Sequence, residues 1–268
     1  MSQDRAFGVA AGLDPEIATP LAQRCEALGY RSVWSNDHPG ANGLDTLAAF
    51  AEGSERLELG VAVMALDRHK PAEINQRVER LGLDRERLWI GIGAGFSERP
   101  LTTMRNARAA LRDAIPGVRL VLAAMGPKMC ALAGSGFDGA FFNWMTPEHA
   151  SGARDHVHAG ARAAQRSGLR PAREPPPVLG YVRTAIGPDA AERLSEEESF
   201  YRDLHDGYRN HFARLGERQG TVGVADRDRE GVQGELSRYT ALDVVVVRSL
   251  ASATLEAMAT LAEAAAPF

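Results

Sequence analysis

The chain has 268 residues, 44% of them hydrophobic and 25% charged, which suits a folded core of barrel size and excludes a low-complexity or disordered protein. Lys and Arg number 31 against 35 Asp and Glu, a net charge of -4, so no basic footprint for nucleic acid is expected. Cys25 and Cys130 have no redox or metal spacing, and no apolar run has the length of a signal region or a membrane span, so the chain reads as cytoplasmic with structural thiols.

Residues 6–11 form a first apolar run of small residues, and Asp14-Pro15 opens a helix with Ile17, Leu21, Ala22, Cys25 and Leu28 at helical spacing, closed by Gly29. A second strand is expected over 31–36, followed by Asp37-His38-Pro39-Gly40 in turn chemistry and a helix over 44–51. A third strand over 57–63 precedes a helix over 72–83, and a fourth over 87–92 runs into Gly91, Gly93, Ala94 and Gly95 before a helix over 100–114. Residues 120–124 and 139–142 are the fifth and sixth strands, with a short helix opened by Gly126-Pro127 between them. A helix over 146–167 and a proline-rich extended connector over 169–177 lead to a seventh strand over 178–184. The eighth spans 243–247 and the last helix 255–265. Eight strands alternating with helices predict a (β/α)8 barrel, a TIM barrel of the α/β class, as one domain over 1–268 with a helical insertion at about 188–240. Within that insertion Phe200, Leu204, Tyr208, Phe212 and Leu215 form an aromatic stripe on one amphipathic helix, which would pack on the barrel, cover its mouth or pair two subunits.

In such a barrel, chemistry is expected at the carboxyl ends of the strands. Those ends carry Gly12, Asp37, His38, Met64, Ala94, Gly95, Met125, Gly126, Asn143, Trp144, Arg183 and Arg248. Most are small or apolar, which favours a flat conjugated ring held by shape and backbone over a hydrolytic site. Asp37-His38 is the most polar pair, and histidine titrates in the range useful for proton transfer. Arg183 and Arg248 offer positive charge to a phosphate or carboxylate. His156-x-His158 falls within a helix, where i and i+2 do not share a face, so no metal ligand set is expected. The glycines from 91 to 95 match only part of a dinucleotide fingerprint and are read as a strand end open to a ligand.

Several runs together, VWSNDHP (33–39), VAVMALDRHKPAEI (61–74), GIGAGF (91–96), AAMGPKMCALAG (123–134), DGAFFNWMTPEH (138–149) and VVVVRSL (244–250), resemble the bacterial luciferase-like monooxygenase superfamily, and within it the coenzyme F420-dependent oxidoreductases. The resemblance implies a luciferase-like barrel holding a deazaflavin, coenzyme F420, or alternatively FMN, across its mouth. It gives Asp37 a cofactor contact and His38 a part in proton movement, so that these two are the catalytic candidates. A strand-three bulge matching Val61 and Ala62 would back the central ring. Ala94 and Gly95 would border it. Ala124, Met125, Gly126 and Pro127 would supply backbone near a phosphate, and Asn143 and Trp144 would line the same cavity. The function implied is hydride exchange between F420 and a small organic substrate. An FMN-dependent monooxygenase or reductase, or a flavin-binding barrel without catalysis, is the alternative. Homodimers are common in the family and are an open expectation here.

Overall fold

The computed structural model describes residues 4–171 and 174–267; residues 172 and 173 of the proline-rich connector lie outside the described residues. Nine strands and ten helices are described: β1 (Asp4–Val9), α1 (Pro15–Ala27), β2 (Ser32–Ser35), α2 (Gly43–Gly53), β3 (Glu58–Ala65), α3 (Pro71–Arg80), β4 (Leu88–Gly93), α4 (Pro100–Ala114), β5 (Arg119–Ala123) and α5 (Pro127–Gly136), then β6 (Gly139–Asn143), α6 (Pro147–Arg166), β7 (Val178–Ile186), α7 (Ala190–Leu204), α8 (Asp206–Leu215), β8 (Val224–Asp226), α9 (Arg229–Ser237), β9 (Val244–Ser249) and α10 (Leu255–Ala264).

All pairings are parallel, and β1 to β7 followed by β9 close on themselves because β9 pairs with both β7 and β1. This is the expected (β/α)8 barrel. The short β8 adds to the end of β7 outside the closed ring, pairing Thr184–Ile186 with Val224–Asp226. Three residues are too few to show a strand period in sequence. The first strand starts two residues earlier than expected, where Asp4 and Arg5 pair with Val244 and Val245.

Strand residues alternate between two cores. Phe7, Val33, Leu59, Ile90, Leu120, Val182 and Val247 face the helices, whereas Ala6, Trp34, Ala62, Trp89, Val121, Phe141, Tyr181 and Val246 fill the barrel interior. Proline in the first turn opens α1, α3, α4, α5 and α6, where its missing N–H and fixed φ cost nothing.

The aromatic stripe belongs to two helices, not one. His205 between them is extended (φ -164°, ψ 147°), and its side chain accepts a hydrogen bond from the Gly207 N–H at the start of α8. The break changes which face is buried: Phe200 is 59% exposed, while Tyr201, Tyr208 and Phe212 turn toward Trp144. The buried Glu198 carboxylate fixes the return from this pair, accepting from Arg202 and from the Gly220 and Val222 backbones.

Candidate active site

The carboxyl ends of β1 to β4 are laced together by side chains. Asn36 accepts from the Ala11 N–H at 2.7 Å, and Thr46 accepts from that of Gly12 at 3.0 Å. The Asp37 carboxylate is buried and accepts from the Gly43 N–H at 3.1 Å, from Arg68 at 2.5 Å and from His69 Nε2 at 2.8 Å, so it joins the loop after β2 to α2 and to the loop after β3. Asp67 continues the series by accepting from the Phe96 N–H at 2.9 Å. It fills the space beside Gly95, where a Cβ would meet its carboxylate at 2.0 Å. His38 lies outside these bonds and is exposed to solvent at the rim. Its Nδ1 accepts from the Gly40 N–H at 3.1 Å, which leaves the proton on Nε2, 3.4 Å from the Ala11 carbonyl.

Asp37 therefore has a structural duty beside any chemical one. Removing it in Asp37→Ala leaves Arg68 and His69 without their shared anion. Because Arg68 is partly solvated, the expected loss is about 2 kcal/mol, below the ~3–5 kcal/mol of a fully buried pair, and thermal unfolding measures it.

Above the filled interior the barrel mouth has two unlike walls. Ala62, Gly91, Gly93 and Ala123 are interior positions of β3, β4 and β5, and the absence of large side chains leaves a flat, apolar surface. The peptide between Ala62 and Val63 is cis, and the β3–β4 register shifts between Val61 and Met64. The bulge is thus one residue further along than expected. Ala62 and Val63 reach the interior, whereas Val61 packs toward α2, where a Cβ on Gly43 would lie 2.6 Å from it. A single register step reverses the face that each side chain serves.

The opposite wall is polar. Asn143, Arg183 and Arg248 continue the interior positions of Phe141, Tyr181 and Val246 on β6, β7 and β9. Arg183 donates to Asn143 and lies over the Trp144 ring at 4.1 Å and the Tyr201 ring at 4.8 Å. Trp144 has φ 54°, a left-handed conformation uncommon outside glycine, and this turn sends its ring beneath α7 and α8. It is 1% exposed and supports the lid; Asn143 beside it is only partly buried, its amide accepting from Arg183 and donating to the Tyr208 hydroxyl.

Ala124, Met125, Gly126 and Pro127 lead from β5 into α5. Met125, Gly126 and Pro127 border a cavity of about 310 Å³ between α5, α6 and α8, together with His149, His156, His211 and Arg214. Gly126 caps α5 without a side chain, and nothing lies within 4 Å of where its Cβ would be, so the helix N-terminus opens directly on this cavity. The histidines lacked useful spacing in sequence because they come from two distant helices. No group of His, Cys, Asp and Glu suited to a metal occurs among the described residues.

His211 ties lid to barrel: its Nε2–H donates to the Trp144 carbonyl at 2.6 Å, and Nδ1 accepts from Arg214 at 3.3 Å. Burial pushes its pKa down to about 4, with nearby Arg214 acting in the same direction. The unfolded chain therefore takes up this proton first. Stability present above pH 6.5 falls as pH drops through 4, by up to about 3 kcal/mol. Urea unfolding at several pH values should show that loss, and His211→Gln, which keeps a donor but does not titrate, should flatten the profile between pH 6.5 and 4.

Residues 3–115 and 99–264 match the luciferase-like monooxygenase family. Among curated relatives, the 5,10-methylenetetrahydromethanopterin reductase of Methanolobus tindarius is 26% identical over 209 residues, covering 65% of this chain and 63% of the reductase, so the match spans less than two thirds of that relative. An F420-dependent secondary alcohol dehydrogenase, solved with an F420–acetone adduct, superposes with a TM-score of 0.75 over 99% of both chains at 16% identity. The coenzyme F420-dependent tetrahydromethanopterin reductase of Methanopyrus kandleri gives 0.73 over 98% of both at 15% identity. The FMN-bound oxygenating constituent of 3,6-diketocamphane monooxygenase from Pseudomonas putida gives 0.66 over 99% and 98% at 11% identity. The family match, which spans most of the chain, makes it a member of the luciferase-like monooxygenase family of oxidoreductases.

Proposed function

We propose that this protein exchanges a hydride between a deazaflavin of the coenzyme F420 type and a small organic substrate at the barrel mouth. The observation that carries the proposal is the pairing of a flat wall of small residues with a polar wall across the mouth, both beneath a lid. A flavin-like ring would lie along the first wall, where β3 packs so closely on β4 that a side chain is barely accommodated: a Cβ on Gly93 would approach Val63 to 3.1 Å, and one on Gly91 would approach the Val61 carbonyl to 2.9 Å. A phosphate fits the α5 N-terminus at Gly126, with Arg214 on the far side of the cavity. Ala62, Ala94 and Gly95 would border the ring and Asn143 would bond to its polar edge. The matched reductase, and the F420-dependent enzymes among the structural neighbours, favour the deazaflavin over FMN.

The cofactor supplies the hydride chemistry when bound. The protein's residues do the rest. The linked loops after β1 to β4 fix the flat wall, and the lid helices shield the mouth from water. His38 presents Nε2 at the rim, where the imidazolium, with Nδ1 protonated and released from the Gly40 N–H, would deliver a proton and become the neutral Nδ1–H imidazole, which takes one back in the reverse direction.

Titrating the purified protein separately with F420 and FMN, followed by absorbance and fluorescence, tests the reading. Micromolar F420 binding with weak FMN binding supports it, and a preference for FMN with substrate-dependent oxygen uptake replaces it by a flavin monooxygenase. If neither binds, the cofactor assignment falls.

A further inference from the structure

The polar wall holds more positive charge than the protein neutralises. Arg183 and Arg248 are register partners on the neighbouring strands β7 and β9, so parallel pairing sets both side chains side by side in the barrel interior. They are 2% and 7% exposed. Among the described residues one carboxylate reaches the pair: Glu197 of α7, 3.9 Å from Arg183 Nε, too far for a hydrogen bond. Arg248 has, among the described residues, only the neighbouring Ser249 carbonyl, at 2.6 Å, for one of its terminal nitrogens. Two buried guanidiniums facing each other with one distant counter-ion are expensive to keep unless something else balances them.

Three unfilled donors lie in the same place. Among the described residues, Arg183 Nε, Arg248 Nε and the Tyr181 hydroxyl are buried without hydrogen-bond partners; other arginine Nε atoms elsewhere share that state, but only here do a phenol and two guanidiniums converge. Tyr181 occupies the interior position directly below Arg183, its ring 5.6 Å from that guanidinium. Burial pushes its phenol pKa up, so it remains an O–H donor in want of an acceptor. Gly8 makes room for it, since a Cβ there would touch the Tyr181 ring at 3.0 Å. Buried polar groups are rarely left unpaired, and three donors with two positive charges call for an acceptor bearing negative charge.

We propose that Arg183, Arg248 and Tyr181 form a receptor for an oxyanion on the substrate, a carboxylate of a small organic acid, and that Glu197 on the lid is the built-in counter-ion which that group displaces. This deepens the proposed function by giving the substrate a charge class, and it rests on that reading only for the receptor's role in turnover. The cofactor phosphate is assigned elsewhere, at Gly126 and Arg214. Because Glu197 rides on α7, displacing it couples binding to the lid.

Calorimetric titration of the intact protein, free of cofactor, with malonate and with its neutral analogue malonamide tests the receptor. Malonate is expected to bind and malonamide not. Glu197→Gln should tighten malonate several-fold by removing the competing carboxylate, the opposite of what loss of a supporting contact would do. Arg248→Met should weaken it by about 10- to 100-fold, in keeping with a lost charge-assisted bond. Should that variant fail to fold, Tyr181→Phe removes one hydroxyl and keeps the ring, with an expected weakening of about 3- to 10-fold. Equal affinity for the two probes, no malonate binding, or a Glu197→Gln variant that binds no tighter would overturn the proposal. If malonate displaces F420 but not its phosphate-free chromophore, the cluster holds the cofactor phosphate and the substrate assignment is wrong. F420 binding without malonate binding sinks the receptor alone; malonate binding without F420 or FMN binding upholds the receptor and sinks the cofactor reading.

Discussion

His38→Ala is expected to lower turnover by about 10²- to 10⁴-fold while changing cofactor affinity little. The asymmetry follows from where the imidazole sits. Its Nδ1 is occupied by the Gly40 N–H and its Nε2–H faces the Ala11 carbonyl at 3.4 Å, a contact long enough to be given up to a substrate atom. The ring is exposed at the rim, so removing it should leave the cofactor surface intact. Glutamine at the same position can donate a hydrogen bond but cannot exchange a proton, and His38→Gln should stay within about tenfold of the alanine variant. Single-turnover measurements with bound cofactor separate the two roles: full activity in His38→Ala retires the acid/base assignment, whereas a loss confined to affinity makes His38 a binding residue.

Asp37 carries bonds that its dipeptide does not reveal. Sequence placed Asp37 and His38 at the same strand end, which the structure bears out, but it could not show that Asp37 is already bonded to Arg68, His69 and Gly43. Gly43 is close in sequence, but Arg68 and His69 stand some 30 residues on, across a strand and in the next loop. The barrel itself was legible because strands buried on both sides are continuous apolar runs, and because proline and glycine punctuate the helix ends. What was hidden depends on register. Val63, not Val61, completes the flat wall because the β3–β4 register shifts between Val61 and Met64. Arg183 and Arg248 could each be placed at a strand end, but only the pairing of β7 with β9 sets them shoulder to shoulder. The break in the lid hid for another reason: His205 itself is neither glycine nor proline, so a periodic stripe concealed a turn that exchanges Phe200 for Tyr201 on the buried face.

The largest effect on stability is expected at Gly60. This residue is the register partner of Trp34 on β2, and both face the interior. A Cβ at Gly60 would lie 2.2 to 2.4 Å from three atoms of the indole. The ring has nowhere to go, since it is fully buried, stands 4.9 Å from Phe141, and donates its Nε1–H to Ser32 Oγ at 2.8 Å. Overpacking a dense interior typically costs about 1–3 kcal/mol, and a rigid aromatic held from three sides puts Gly60→Ala at or above the upper end. For a chain of this size that corresponds to a melting temperature lower by roughly 6–12 °C. Gly126→Ala is the contrasting case: open space surrounds its Cβ position, so stability should change by less than about 0.5 kcal/mol. That same methyl group would stand in the mouth of the α5 cavity and should weaken F420 binding. A matched pair in which Gly60→Ala unfolds early with cofactor affinity kept, and Gly126→Ala melts normally with affinity reduced, would separate the glycine that lets the barrel close from the one that lets a ligand in. Equal melting temperatures would mean that the interior can shift Trp34, and that the flat wall above it is softer than its packing implies.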